Sequence, residues 1–323
     1  LGRGVPKKKV TSRELAKKLK VTPQWILSRT GIRERRYLGP RETASGISAL
    51  AARQAIARAG LQAEEIDLVI GCTSSGDYVF PPMACKVQAL LGAKRAGAFD
   101  VSGSSAGFTI GLGIARDRLL ADASLKNIVV VGTAVQSPYI DWDNLQMAVL
   151  LGDGSAAAVV SRVPQGYGIL AFDTLSHGSL FDAAYLKGGG SRYPFIQGGN
   201  PGKTKLGFIE MDGVVMGREY LKEQPLVIHR VLHKAGLKMK DVDLLIFHQA
   251  NLRLMQFLME RLNLPMSKTF TNIERFGNTA DASIPLALCE ASEKKILKRD
   301  HVVVVSGVGA GCILGAAVMR WYA

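Results

Sequence analysis

The sequence predicts an α/β protein built from two duplicated halves, each a mixed sheet covered by helices. Two internal echoes carry that expectation. The segment AARQAIARAGLQAEEIDLVIGCTSS (residues 51–75) pairs with VIHRVLHKAGLKMKDVDLLIFHQAN (residues 227–251). Ala59-Gly60-Leu61 answers Ala235-Gly236-Leu237, and Ile66-Asp67-Leu68 answers Val242-Asp243-Leu244 at the same offset. Each copy has the pattern of an amphipathic helix, a glycine turn, an acidic linker and an apolar strand. A second echo links LLGDGSAAAVVSRV (residues 150–163) to SGVGAGCILGAAVMRW (residues 306–321). In both, a glycine turn leads into small and β-branched residues, the pattern of a strand hairpin packed between helices. Two matches in the same order indicate duplication.

Size and composition agree. A chain of 323 residues, 47% hydrophobic and with 35 glycines, suits two core-bearing halves rich in tight turns. Strands buried on both faces imply sheets with helices on either side. The halves are expected to divide near residue 165, as 1–165 and 166–323, with no low-complexity linker and a site at their shared interface. The run VVVVSGVGAGCILGAAVM (residues 302–319) is long enough to span a membrane. Its four valines followed by a glycine cluster predict strand, turn and strand instead.

Cys72, Cys85, Cys289 and Cys312 form no CxxC pair and have no ligand spacing with histidine. Neither a zinc site nor a disulfide framework is expected, and a reducing cytoplasm is the default compartment. No signal-peptide pattern opens the chain, and it starts on Leu1, so the natural start is expected upstream. A net charge of +14 favours an acidic partner. Nucleic acid is not expected, because the basic residues are dispersed except for Lys7, Lys8 and Lys9, and no recognition motif accompanies them.

The chemistry concentrates in three segments. DVSGSSAGF (residues 100–108) lies between an apolar run and a small-residue helix, a strand–turn–helix setting that aims a side chain along a helix N-terminus. Gly103, Ala106 and Gly107 around Ser105 permit close backbone approach there. FHQAN (residues 247–251) adds His248, and GNTADASIP (residues 277–285) adds Asn278. Taken singly, each has a plain structural alternative: a helix cap for Ser105, a satisfied strand-end histidine for His248, and turn chemistry for Asn278.

Together the three segments resemble the active site of the β-ketoacyl-acyl-carrier-protein synthase III family, within the thiolase superfamily, and the likeness runs over nearly the whole chain. It implies a five-layered αβαβα fold, usually in a homodimer. It also implies acyl transfer from coenzyme A followed by decarboxylative condensation with malonyl-carrier protein, with no cofactor beyond the thioester substrates and no metal. Residue 105, not Ser104, falls at the nucleophile position. His248 and Asn278 fall where the family hydrogen-bonds the thioester oxygen as the enolate forms. Trp25 and Arg29, in WILSRTGIRERR, match positions that contact coenzyme A, the ring stacking on adenine and the guanidinium pairing with phosphate. Phe80, in YVFPPMAC, matches the residue that reaches across the dimer to close the acyl pocket. Asn251 and Ala310 fall at substrate-binding positions, and Arg253 in the patch that meets the acidic carrier protein.

Four positions depart from the family pattern. Ser105 stands in place of cysteine, whose thiolate a helix N-terminus favours; a hydroxyl stays protonated and needs a general base. Leu145 falls where many relatives have an arginine against the adenine. Ala310 replaces a glycine whose N–H helps form the oxyanion hole, and serves equally if its φ is negative. Asp281 takes a small-residue position just after Asn278, where it could orient or acidify its neighbours. Condensation is accordingly expected to be impaired. The alternatives are a serine-dependent acyltransferase or starter-unit enzyme, a serine introduced to trap substrate, and a catalytically silent dimer partner. The last predicts decay of His248 and Asn278, and both are retained.

Overall fold

The computed structural model describes residues 1–194 and 205–322. Strand β1 (Gly2–Gly4) leads to a ribbon of β2 (Lys8–Thr11) and β3 (Glu34–Tyr37), which holds α1 (Ser12–Leu19) and α2 (Pro23–Thr30) between its strands. Then come α3 (Ala44–Arg58), β4 (Leu68–Cys72), α4 (Met83–Leu91), β5 (Gly97–Val101), α5 (Gly107–Ala121), β6 (Asn127–Ala134), α6 (Leu145–Ala148) and β7 (Gly154–Ser161). After β8 (Gly168–Ser176), a second ribbon pairs β9 (Ala184–Leu186) with β10 (Ile209–Met211). The chain ends with α7 (Gly213–Lys234), β11 (Leu244–Phe247), α8 (Leu252–Arg261), α9 (Ile273–Phe276), α10 (Ser283–Glu293), β12 (Val302–Gly309) and β13 (Ile313–Arg320).

Two larger sheets result, in the orders β1-β7-β6-β4-β5 and β11-β12-β13-β8. Both are mixed: β4 runs parallel to β5 and β6, and β11 parallel to β12, while β7 and β13 are antiparallel to their neighbours. Alternation along the strands sorts side chains into separate cores. Ile70 and Cys72 of β4 and Val303 and Val305 of β12 face inward, against Phe108 and Leu112 of α5 and Ile284 and Leu288 of α10. Val69 of β4 faces out against Ala52 of α3 and Val87 of α4, and Val304 of β12 against Val231 of α7 and Leu258 of α8. The layers are therefore α3/α4, sheet, α5/α10, sheet, α7/α8: the thiolase-like αβαβα arrangement.

The first echo has one structure in both copies. Gly60 (φ 72°) follows α3 and Gly236 (φ 68°) follows α7, each in a left-handed conformation that glycine adopts freely. A single 3₁₀ turn comes next (Ala63–Glu65 and Met239–Asp241), and then a buried strand. The second echo differs between copies. Strands β12 and β13 form a tight hairpin, so the apolar C-terminal run is a strand pair, and no helix among the described residues is long and apolar enough to cross a membrane. Strands β6 and β7 pair equally well but are not a hairpin. Residues 135–153, with α6, intervene and form part of the site wall.

Candidate active site

Ser105 lies in a 3₁₀ turn, Ser104–Ala106, between β5 and α5. Ser104 adopts φ 47°, a conformation uncommon outside glycine, and this bends the chain sharply before the helix. The turn is held from the opposite sheet. On β12, a Cβ at Gly309 would come within 2.9 Å of both Ser104 Cβ and the Ser105 nitrogen, and one at Gly307 would collide with the Ser105 carbonyl. Only glycine lets the strand approach so closely. Ser105 does not cap a helix: the cap residues of the turn and of α5 are Gly103 and Ala106, and neither has a side-chain cap bond. The first amides of the 15-residue helix α5 thus start beside Ser105 without a capping side chain.

Ser105, His248 and Asn278 line one cavity of about 540 Å³ between the two sheets. His248 follows β11, and its Nδ1 lies 2.7 Å from Ser283 Oγ, which in turn lies 2.8 Å from the Ala280 carbonyl. A carbonyl can only accept, so when the single Ser283 proton goes to Ala280, Nδ1–H donates to Ser283. In that tautomer Nε2 is unprotonated and is the free ring nitrogen. Asn278 is oriented with similar economy. Its Oδ1 accepts from the Ala280 N–H at 3.0 Å, which assigns the amide and leaves the Nδ2 hydrogens as the uncommitted donors. Its carbonyl accepts from Gln136 Nε2 at 2.8 Å and from the Gly152 N–H at 2.9 Å, fixing the backbone beside it.

Burial drives the His248 pKa from its ordinary 6.5 down to about 3, so the ring is neutral at neutral pH. A depressed histidine pKa means that the unfolded chain binds the proton first. Its contribution to stability is whole above pH 6.5 and is lost as the pH falls from there toward 3. The expected loss is roughly 1 kcal/mol per pH unit within that window. Urea unfolding between pH 7 and 4.5 should show a steeper decline for the parent than for His248→Asn.

The other expected site residues are placed as follows. Trp25 and Arg29, one turn apart on α2, line the cavity, and the guanidinium lies 4.4 Å from the Trp25 ring centre. Arg29 thus covers one face of the ring. Asn251 also lines the cavity, but its amide is engaged. Its Oδ1 caps α8 by accepting the Arg253 N–H at 2.8 Å, and its Nδ2 donates to the Arg29 carbonyl at 3.0 Å. It therefore ties α2 to α8. Arg253 is exposed outside the cavity and donates from Nε to the Ser28 carbonyl at 3.1 Å. Phe80 is 83% exposed, outside the cavity, in the loop before α4. Ala310 lines the cavity with a φ that is not positive, since the left-handed positions fall on Gly311 and Cys312. Leu145 opens α6 and does not line the cavity, whereas Gln146 and Met147 do.

Sequence reasoning missed Ser283, although it lies within the GNTADASIP segment, because nothing in the spelling marks it as the partner of His248. It also missed the wall built by the β9–β10 ribbon and Tyr220 of α7. Asp281 is 2% exposed, lines the cavity and has an Oδ1 with no hydrogen-bond partner. Among the described residues, one group has the character of a metal-binding set, His177, Glu219 and Glu223, and it lies off the cavity. Its carboxylates pair with Arg218 and Lys222 at 3.1 and 2.7 Å.

A five-layered fold with a side chain presented at the start of a central helix, and a histidine and an asparagine from the other half, places the molecule among thiolase-fold proteins. Family models for 3-oxoacyl-[acyl-carrier-protein (ACP)] synthase III and for its C-terminal part match residues 99–178 and 232–321. The β-ketoacyl-[acyl-carrier-protein] synthase III of Roseiflexus castenholzii is 37% identical over 100% of this chain and 97% of its own. The Bacillus pumilus enzyme of the same name is 38% identical over 99% of this chain and 97% of its own. Among solved structures, the synthase III of Aquifex aeolicus superposes with a TM-score of 0.90 at 36% identity, covering 99% of this chain and 98% of that one. The priming β-ketosynthase of the R1128 polyketide pathway gives a TM-score of 0.90 at 30% identity, covering 99% and 94%. The chain belongs to the 3-oxoacyl-[acyl-carrier-protein] synthase III family, a family of condensing enzymes.

Proposed function

We propose that this protein loads an acyl group from coenzyme A onto Ser105 and condenses it with malonyl-acyl-carrier protein. The observation that carries the proposal is the meeting of Ser105, His248 and Asn278 on one cavity whose lining also includes Trp25 and Arg29. In loading, Ser105 Oγ attacks the thioester carbonyl while His248 Nε2 takes the hydroxyl proton. The C–S bond breaks and the proton passes to the departing coenzyme A sulfur. In condensation, malonyl-carrier protein loses carbon dioxide, and the enolate oxygen accepts from Asn278 Nδ2–H. The enolate carbon attacks the acyl ester carbonyl, the bond from that carbon to the Ser105 oxygen breaks, and the oxygen takes from solvent the one proton that the overall reaction consumes.

Ser283 gives His248 two useful forms. With its hydroxyl on Ala280, the imidazole is an acceptor suited to loading. With the hydroxyl turned to Nδ1, the ring carries its proton on Nε2 and joins Asn278 as a donor to the enolate. Serine makes both stages slow. A neutral hydroxyl is a poor nucleophile, and an oxygen ester is a less reactive acyl donor than a thioester.

The same acceptor form of His248 supports a second reading, a Ser–His acyltransferase that passes the group onward without condensation. In either case we take Trp25 and Arg29 as the coenzyme A end of the cavity and Arg253 as part of the carrier-protein contact. We read the protein as a homodimer, and each chain as two halves that divide near residue 165. Strand β5 is a sheet edge, and Tyr78, Val79 and Phe80, in the loop before α4, are 77, 79 and 83% exposed, an apolar surface of the kind that a partner covers.

Intact-mass measurement after incubation with acyl-coenzyme A tests the proposal. A stable adduct on Ser105, followed by release of β-ketoacyl-carrier protein on adding malonyl-carrier protein, is the expected result. An adduct that only transfers unchanged selects the acyltransferase. No adduct and no product overturn both, and point to the silent-partner alternative.

A further inference from the structure

We propose that Asp281 keeps residue 105 in its protonated form, so that this site is matched to a hydroxyl nucleophile and opposes a thiolate. The inference rests on residue 105 being the nucleophile position. Asp281 sits in the 3₁₀ turn Ala280–Ala282, just before α10, and its side chain reaches the start of α5. A Cβ on Gly107 would collide with Asp281 Oδ1, so the carboxyl lies on the first residue of that helix, two residues after Ser105. Asp281 and Ser105 line the same cavity, 2% and 8% exposed.

Among the described residues no cation shares that space: of those lining the cavity, only Arg29 carries a permanent positive charge, and it is stacked on Trp25. His248 is bonded through Nδ1 to Ser283, whose other partner is the Ala280 carbonyl, and burial keeps the ring neutral. No Ser–His–Asp relay exists, since Nδ1 is bonded to Ser283. From β4 comes Cys72, whose thiol is pushed well up, first by burial and next by the nearby Asp281. Asp153, before β7, is already bonded to the Leu38, Gln136 and Ser137 amides and the Ser137 hydroxyl. Strand β6, the first two turns of α5 and the first turn of α10 contribute no titratable group.

Burial also holds the Asp281 carboxyl well above the usual carboxylate range. An uncapped helix N-terminus would ordinarily lower a cysteine pKa at position 105. Here a second acid occupies the same N-terminus. Two neighbouring acids titrate as a pair that carries one negative charge far more readily than two, and the carboxyl takes it before a thiol does, as its upward push on the Cys72 thiol shows. A serine hydroxyl does not ionise, so it avoids the conflict. Ser105 and Asp281 are therefore one coupled departure, not two independent ones.

The test introduces a thiol and titrates it. Ser105→Cys, Ser105→Cys/Asp281→Ala and Ser105→Cys/Asp281→Asn are alkylated with iodoacetamide across pH 6 to 10. Peptide mass spectrometry follows residue 105, with exposed Cys85 as the internal reference. The single variant should react with a midpoint at or above the ordinary thiol value of about 8.5. Both double variants should shift it down by about one unit or more, a roughly tenfold gain in thiolate at neutral pH. The Asn variant keeps the carboxyl's size, so a shift in Ala alone would make the effect steric and overturn the proposal. Equal midpoints in all three would overturn it too. Acyl-coenzyme A added to the double variants separates the two claims: a lowered midpoint without acylation removes Ser105's position as nucleophile but leaves the coupling intact.

Discussion

Ser105→Ala is expected to abolish the acyl adduct and to lower acyl transfer by on the order of 10³-fold or more, as removal of a covalent nucleophile does elsewhere. The fold should be undisturbed. The hydroxyl caps no helix, and alanine fits a turn whose backbone is already held by β12. The measurement pairs intact mass with a thermal melt. Loss of the adduct at an unchanged melting temperature assigns the chemistry to the hydroxyl. An adduct surviving the substitution would move the covalent step to another residue and sink the proposed function.

Asn278→Ala should act at the other stage. Its Nδ2 hydrogens are the uncommitted donors of a side chain whose oxygen is fixed by the Ala280 N–H. Removing one oxyanion donor costs about 3–4 kcal/mol, or roughly 10²–10³ in rate. Loading from acyl-coenzyme A should persist, while decarboxylation of malonyl-carrier protein falls by that factor. Single-turnover assays read the stages separately. Equal loss in both would assign Asn278 a structural role, through its bonds to Gly152 and Gln136, rather than the enolate contact.

Much of the fold was legible because it is written twice. The glycine after each repeat helix, the acidic turn and the apolar strand are local signals, and Gly60 and Gly236 take the same left-handed conformation. The valine run likewise announces a buried strand. What local signals do not carry is contact between distant segments. Ser283 meets His248 across 35 residues, and its value lies in one hydroxyl proton with two possible acceptors. The orientation of Asp281 depends on Gly107, which belongs to the other half of the chain. Asn251 looked like a ligand-facing amide, yet capping α8 and holding Arg29 use both ends of it. The segment between β6 and β7 broke the expected hairpin because it forms a cavity wall that the second half does not need.

The two glycines of β12 pressed against the Ser104–Ser105 turn have a consequence for biosynthesis. Residue 105 emerges from the ribosome well before β12 (Val302–Gly309), the strand that braces it. A nascent or truncated chain would therefore carry the hydroxyl without the surface that fixes it. The β12–β13 hairpin must therefore slot home before the turn at residue 105 takes its final shape.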